Sequence, residues 1–110
     1  EIKYFKFFKN HYNDIVFFVG DFNLPQSHSV FNPIKKDGFK ALFENQKTTL
    51  KQKCKGNVCL ANPLDHIFYD VNKVNIKEKG AILFYEDYEN IQEARKLTDH
   101  IPIYIKFTLN

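Results

Sequence analysis

The chain has no methionine, no tryptophan and only two cysteines. It also has no apolar run near the ~18 to 20 residues that a membrane-spanning helix needs. That class is excluded. No signal-peptide pattern opens these residues. Lacking methionine and starting at Glu1, the sequence reads as part of a longer translated product. No internal repeat or linker divides it, and its 110 residues fit one folded unit.

What is present is aromatic and basic. Twelve Phe and six Tyr dominate a sequence that is 44% hydrophobic, which excludes a disordered tail and favours strands. The net charge is +3, and seven lysines fall at positions 35, 36, 40, 47, 51, 53 and 55. Two readings stand side by side: a solvated surface that guards a sheet edge, or a surface contacting the phosphates of a nucleic acid. On the second reading Thr48, Thr49 and Lys51 are the candidate substrate-binding residues. Cys54 and Cys59 bracket Lys55-Gly56-Asn57-Val58, a turn-like gap that would place both at a hairpin tip. A disulfide, free thiols and half a metal site all remain open there, although zinc would need two further ligands.

Periodicity lays out the elements. Ile2, Phe5, Phe8 and Tyr12 recur at helical spacing over residues 2–12, with Asn13-Asp14 as the stop. Residues 15–19 read as a buried strand too apolar to have a wet face. Residues 27–36 predict a helix capped by Ser27 or Ser29, with Pro33 in its first turn and Asp37-Gly38 closing it. Residues 39–43 read as a connection, and residues 48–51 as the start of a strand. Strands are predicted over 65–69, over 74–84 with an interruption at 78–80, and over 101–109. A helix over 89–97 would present Tyr88, Ile91, Ala94 and Leu97.

Three acids stand at strand edges. Gly20-Asp21-Phe22-Asn23 follows the apolar run ending at Val19, Asp65 opens Leu64-Asp65-His66-Ile67-Phe68, and Asp99-His100 precedes Ile101-Pro102-Ile103. On a strand, side chains i and i+2 share a face, so Asp21 and Asn23 would point together. Each acid taken singly also fits a turn or cap. His66 reads as structural, and His11 and His28 as surface residues.

In that order the three motifs resemble the endonuclease/exonuclease/phosphatase superfamily, which includes deoxyribonuclease I, sphingomyelinases and inositol polyphosphate phosphatases. The resemblance covers residues 13–107. It implies the C-terminal half of a four-layer α/β sandwich, one antiparallel or mixed sheet with flanking helices, as a single partial domain. The first half of such a fold supplies a metal-binding Glu and another His that have no counterpart here. The implied activity is divalent-metal-dependent phosphodiester hydrolysis, most naturally of DNA or RNA. The alternatives are lipid or inositol phosphate head groups, or a non-catalytic module that kept the fold. The implied roles are Asp21 orienting and deprotonating water, Asn23 donating to a phosphate oxygen, His100 contacting the scissile phosphate and Asp65 holding the imidazole. Asp99 would be a ligand to Mg²⁺, or to Mn²⁺ or Ca²⁺. The resemblance also favours a Cys54–Cys59 bridge in an exported parent. A half-fold would leave an apolar sheet face open to self-association, and little turnover is expected of it alone.

Overall fold

The computed structural model describes residues 2–5, 7–8 and 14–110. It is a mixed α/β structure in which every strand pairing is antiparallel. The single sheet expected from sequence is instead three small ones. The first is three-stranded: β5 (Asp65–Asp70) lies between β1 (Phe17–Asp21) and β2 (Phe39–Ala41). The second is the hairpin of β3 (Leu50–Lys55) and β4 (Val58–Leu60), and the third pairs β6 (Val74–Ala81) with β7 (Ile103–Leu109). Two short helices, α1 (Asn32–Lys36) and α2 (Ile91–Arg95), pack beside β2 and β3 respectively.

Two separate cores organise these pieces. Phe18, Phe31, Ile34, Phe39, Ala41 and Phe68 form an aromatic core, with Ile2, Phe5 and Phe22 against it. The Phe5 ring stacks on Phe18 with centroids 4.1 Å apart. Leu50, Ile91, Ala94 and Ile101 form an aliphatic core that takes in Cys54 and Cys59 at its margin. These cysteines are bridged, with an S–S distance of 2.07 Å, across the tip of the β3–β4 hairpin. Gly56 makes the turn possible, because its φ of 61° lies in the left-handed region that costs a side-chain-bearing residue.

Several expectations change. Val19 is 63% exposed, so β1 has a wet face after all, although Phe17 on the same face sets its ring 4.8 Å from Phe107 of β7. The aromatic connection at 39–43 contains β2, because Phe39 and Ala41 bury on one side while Lys40 points out. Strand β6 runs unbroken through Glu78-Lys79-Gly80 by absorbing an irregularity between Ile76 and Glu78. Gly80 leaves room for Tyr104 there, since a Cβ would lie 2.6 Å from its ring and would push that exposed side chain aside. The helix expected over 27–36 is a 3₁₀ turn (Ser29–Phe31) running into α1. Its cap is His28, whose Nδ1 accepts from the Val30 N–H at 3.1 Å, rather than a serine. The helix expected over 89–97 shortens to α2, capped by Asn90 Oδ1 on the Glu93 N–H at 2.9 Å, and leaves Tyr88 and Leu97 exposed. At the start of the chain Ile2–Tyr4 form a 3₁₀ turn, and Phe8, expected on a buried face, is exposed. Phe5, Phe7 and Phe8 are helical as expected, and the remaining positions of that helix, Lys6 and residues 9–13, lie outside the described residues. Among the described residues no helix is long and apolar enough to cross a membrane.

Candidate active site

Strands β1 and β5 run antiparallel in a register that sets Asp21 directly opposite Asp65. Two carboxylates on one rung repel each other. The arrangement is tolerated because a third element inserts a base between them. His100 Nδ1 donates to Asp65 Oδ2 at 2.6 Å, while its Nε2 lies 3.7 Å from Asp21 Oδ2 and 3.7 Å from Asp99 Oδ1. Ligand atoms of Asp21, Asp65 and His100 all fall within 4.8 Å of one another.

The insertion depends on residues 48–50, which are bonded on both sides. Toward the β3–β4 hairpin, Thr48 N and Thr49 N both donate to the Asn62 carbonyl, and Ala61 N donates to Thr49 O. Toward the end of the chain, Leu50 N donates to Asp99 O and Ile101 N to Thr48 O, each at 2.8 Å, framing an isolated bridge between Thr49 and His100. Arg95 Nη1 adds a bond to the Leu50 carbonyl at 2.6 Å. The His100 N–H is held locally by Thr98 Oγ1 at 3.2 Å.

The electrostatic consequence falls on His100. The hydrogen bond to Asp65 holds its imidazole above the ordinary histidine range, partial burial works against that, and the charges of Asp65, Asp21 and Asp99 add to it. Because Nδ1 carries the proton given to Asp65, Nε2 is the reactive edge. The Asp65 side chain is 19% exposed, against 48% for Asp21 and 61% for Asp99, so the pair has a sheltered end and an open end.

The residues singled out from sequence separate into those that converge and those that do not. Asp21, Asp65, Asp99 and His100 meet at one edge. Asn23 does not share a strand face with Asp21: β1 stops at Asp21, and Asn23 sits in the left-handed region at φ 56°, its N–H donating to Asp21 Oδ1 at 2.9 Å. Thr48 is fully buried and so cannot touch a phosphate. Thr49 Oγ1 accepts from the Asn62 N–H at 2.9 Å and lies 3.3 Å from the Asn62 carbonyl. Lys51 is half-buried on β3 beside the bridge. The other lysines spread over α1, β2, β3 and, for Lys47, the loop before β3 instead of forming one row, and Lys35 is tied inward to Gln26 O and Oε1, both at 2.7 Å. His66 is buried against Phe22, its Nε2 2.6 Å from the Leu24 carbonyl. Thr48 is the participant that sequence patterning missed as an internal partner, because 17 residues separate it from Asp65.

As for metal, Asp99 was the expected ligand, whereas the tightest grouping is Asp21, Asp65 and His100. Hard divalent ions take oxygen ligands and keep several waters. Asp65 Oδ2 is already engaged by two hydrogen-bond donors. The accessible oxygens are those of Asp21 and Asp99, and three carboxylates around one imidazole leave the edge negative even when His100 is charged. That donor set fits a hard cation. Comparison with protein-family models, with curated proteins and with solved structures found no match.

Proposed function

We propose that this chain carries one half of the active site of a divalent-metal-dependent phosphodiester hydrolase of the deoxyribonuclease I-like kind. The observation that supports it most directly is the Asp65–His100 pair at 2.6 Å, with its open Nε2 flanked by Asp21 and Asp99. Hydrolysis of a phosphodiester requires an activated water, a counter-charge to the developing oxyanion and a means of helping the leaving oxygen. Asp21, half-exposed beside Nε2, is placed to orient water and take its proton. Asp65 fixes the ring so that His100 offers Nε2–H to a phosphate oxygen. Asn23, held by its own N–H to Asp21, keeps its side-chain amide available for a second oxygen. A divalent ion at Asp21 and Asp99 would supply charge compensation when bound. On this reading nucleic acid is the substrate and the lysines of β3 are contacts to its backbone. The Cys54–Cys59 bridge accords with an oxidising compartment.

The test has two arms. Imidazole resonances of His100 should shift when Mg²⁺ or inorganic phosphate is titrated into this chain. A longer polypeptide that adds the remaining metal ligand should nick supercoiled DNA with Mg²⁺, and His100→Ala should reduce that rate by about 10²–10⁴-fold. A His100 signal indifferent to both ions, with no Mg²⁺-dependent cleavage by the longer chain, would overturn the proposal.

A further inference from the structure

Thr48 combines complete burial with a hydroxyl whose bonding capacity is spent on one neighbouring segment. Its Oγ1 accepts from the Leu64 N–H at 3.2 Å and from the Asp65 N–H at 3.0 Å. A hydroxyl has two acceptor positions and one hydrogen. With both acceptor positions filled, the hydrogen has one direction left. Asp65 Oδ2 lies there at 2.5 Å, while the competing acceptor among the described residues, the Asn62 carbonyl, is at 3.5 Å. The same Asp65 oxygen receives His100 Nδ1–H. Backbone amides, a threonine hydroxyl, a carboxylate and an imidazole thus form one chain of hydrogen bonds running from the protein interior to the open edge.

We infer that Thr48 is the positioning residue of the Asp65–His100 pair: its hydroxyl locks the carboxylate in the rotamer that faces the imidazole and so aims Nε2 at Asp21 and Asp99. Two features separate this from ordinary burial of a polar side chain. Thr48 belongs to the segment whose carbonyl receives the Ile101 N–H, so one residue anchors Asp65 by its side chain and the His100 loop by its backbone. In addition, Asp65 is the first residue of β5, and its carboxylate has no other side-chain donor that would hold it in place besides Thr48 and His100 among the described contacts. Without the hydroxyl, the carboxylate is free to turn toward water. Any catalytic consequence rests on the hydrolase reading; the coupling of Thr48 to His100 does not.

The experiment compares the NMR spectra of the intact chain, Thr48→Val and Thr48→Ser under one set of conditions. Valine keeps the shape and removes the hydroxyl, and serine keeps the hydroxyl. In the unsubstituted protein and in Thr48→Ser, the His100 Nδ1 proton should give a downfield resonance. In Thr48→Val that resonance should be lost to exchange with water. Should the valine variant not fold, the unsubstituted protein supplies the readout: the Thr48 hydroxyl proton and the His100 Nδ1 proton, both aimed at Asp65 Oδ2, should share a nuclear Overhauser cross-peak. A valine variant with the downfield resonance intact, or the lack of that cross-peak, would make Thr48 a purely structural residue. If the coupling is found but neither Mg²⁺ nor phosphate perturbs His100, the hydrolase reading fails and the positioning role stands.

Discussion

The aromatic core and the aliphatic core hold the two sides of the site by different means. Asp21 and Asp65 belong to a continuous ladder of five paired residues between β1 and β5, backed by Phe18 and Phe68. Asp99 and His100 belong to a short segment held by one isolated bridge of two backbone bonds, backed by Leu50, Ile91, Ala94 and Ile101. A ladder opens only with its whole sheet, whereas a single bridge can open locally at far lower cost. The comparison teaches that Asp21 and Asp65 form the fixed half of this arrangement, and Asp99 with His100 the half that can be adjusted or lost.

The largest expected effect would test the fixed half. Phe68 is fully buried, and its ring lies 4.8 Å from Phe31. Phe68→Ala should cost about 3–5 kcal/mol, measurable as a fall in the urea midpoint, with amide exchange accelerated throughout β1 and β5. Ile101→Val in the other core should cost only about 0.5–1.5 kcal/mol. Its exchange effect should be confined to the amides of Leu50 and Ile101, which bond to Asp99 and Thr48. If Ile101→Val instead loosened β1 and β5 as much as β3, the two cores would be one cooperative unit and the comparison would break.

A smaller effect concerns pH. His100 titrates above its ordinary value, chiefly through the bond to Asp65. A group whose pKa is raised on folding binds its proton more tightly in the folded state. The resulting stability is therefore fully present below the unfolded value of about 6.5 and is lost as pH rises through the folded value. Asp65→Asn should remove the larger part of that dependence and leave what Asp21 and Asp99 contribute. The measurement is the thermal midpoint at a series of pH values through and above neutrality, where the unsubstituted protein should lose its pH-dependent increment and the variant should show a smaller one. An unchanged slope in Asp65→Asn would mean that the pair does not link the two halves energetically.

The fixed half was also the more legible one in sequence. An apolar run ending at Asp21 and another opening at Asp65 announce both acids directly, because a strand places its terminal residues at the end of a sheet whatever the rest of the chain does. The Asp99-His100 motif was visible as well, but its partner segment was not. Residues 48–50 earn their position from Asn62 and from residues 99–101, contacts that no local pattern encodes. Thr48 therefore looked like a surface threonine among lysines. Sheet count failed for a related reason: alternation shows which face of a strand is buried but not which strands lie side by side, so three small sheets and one larger sheet share the same pattern. The short helices fell below the length at which periodicity fixes their ends, and capping by His28 rather than a serine shifted one of them.

The smallest effect is assigned to single lysines, and it asks whether the adjustable side of the molecule is also the side that meets substrate. Lys51, Lys53 and Lys55 lie on β3, which starts at the residue bonded to Asp99. Lys40 lies on β2, opposite Tyr69 and so toward the end of β5 remote from Asp65, and Lys36 closes α1. A lysine that neutralises one phosphate should reduce the salt dependence of nucleic-acid binding by a slope of about 0.9 when replaced by alanine. Lys51→Ala, next to the bridge, should show that loss, and Lys36→Ala and Lys40→Ala should leave the slope unchanged. The measurement is the affinity for a short DNA duplex over a range of salt concentrations. Equal loss from all five positions would point to a general electrostatic attraction with no defined face, and no loss from any would return the lysines to a solvated surface.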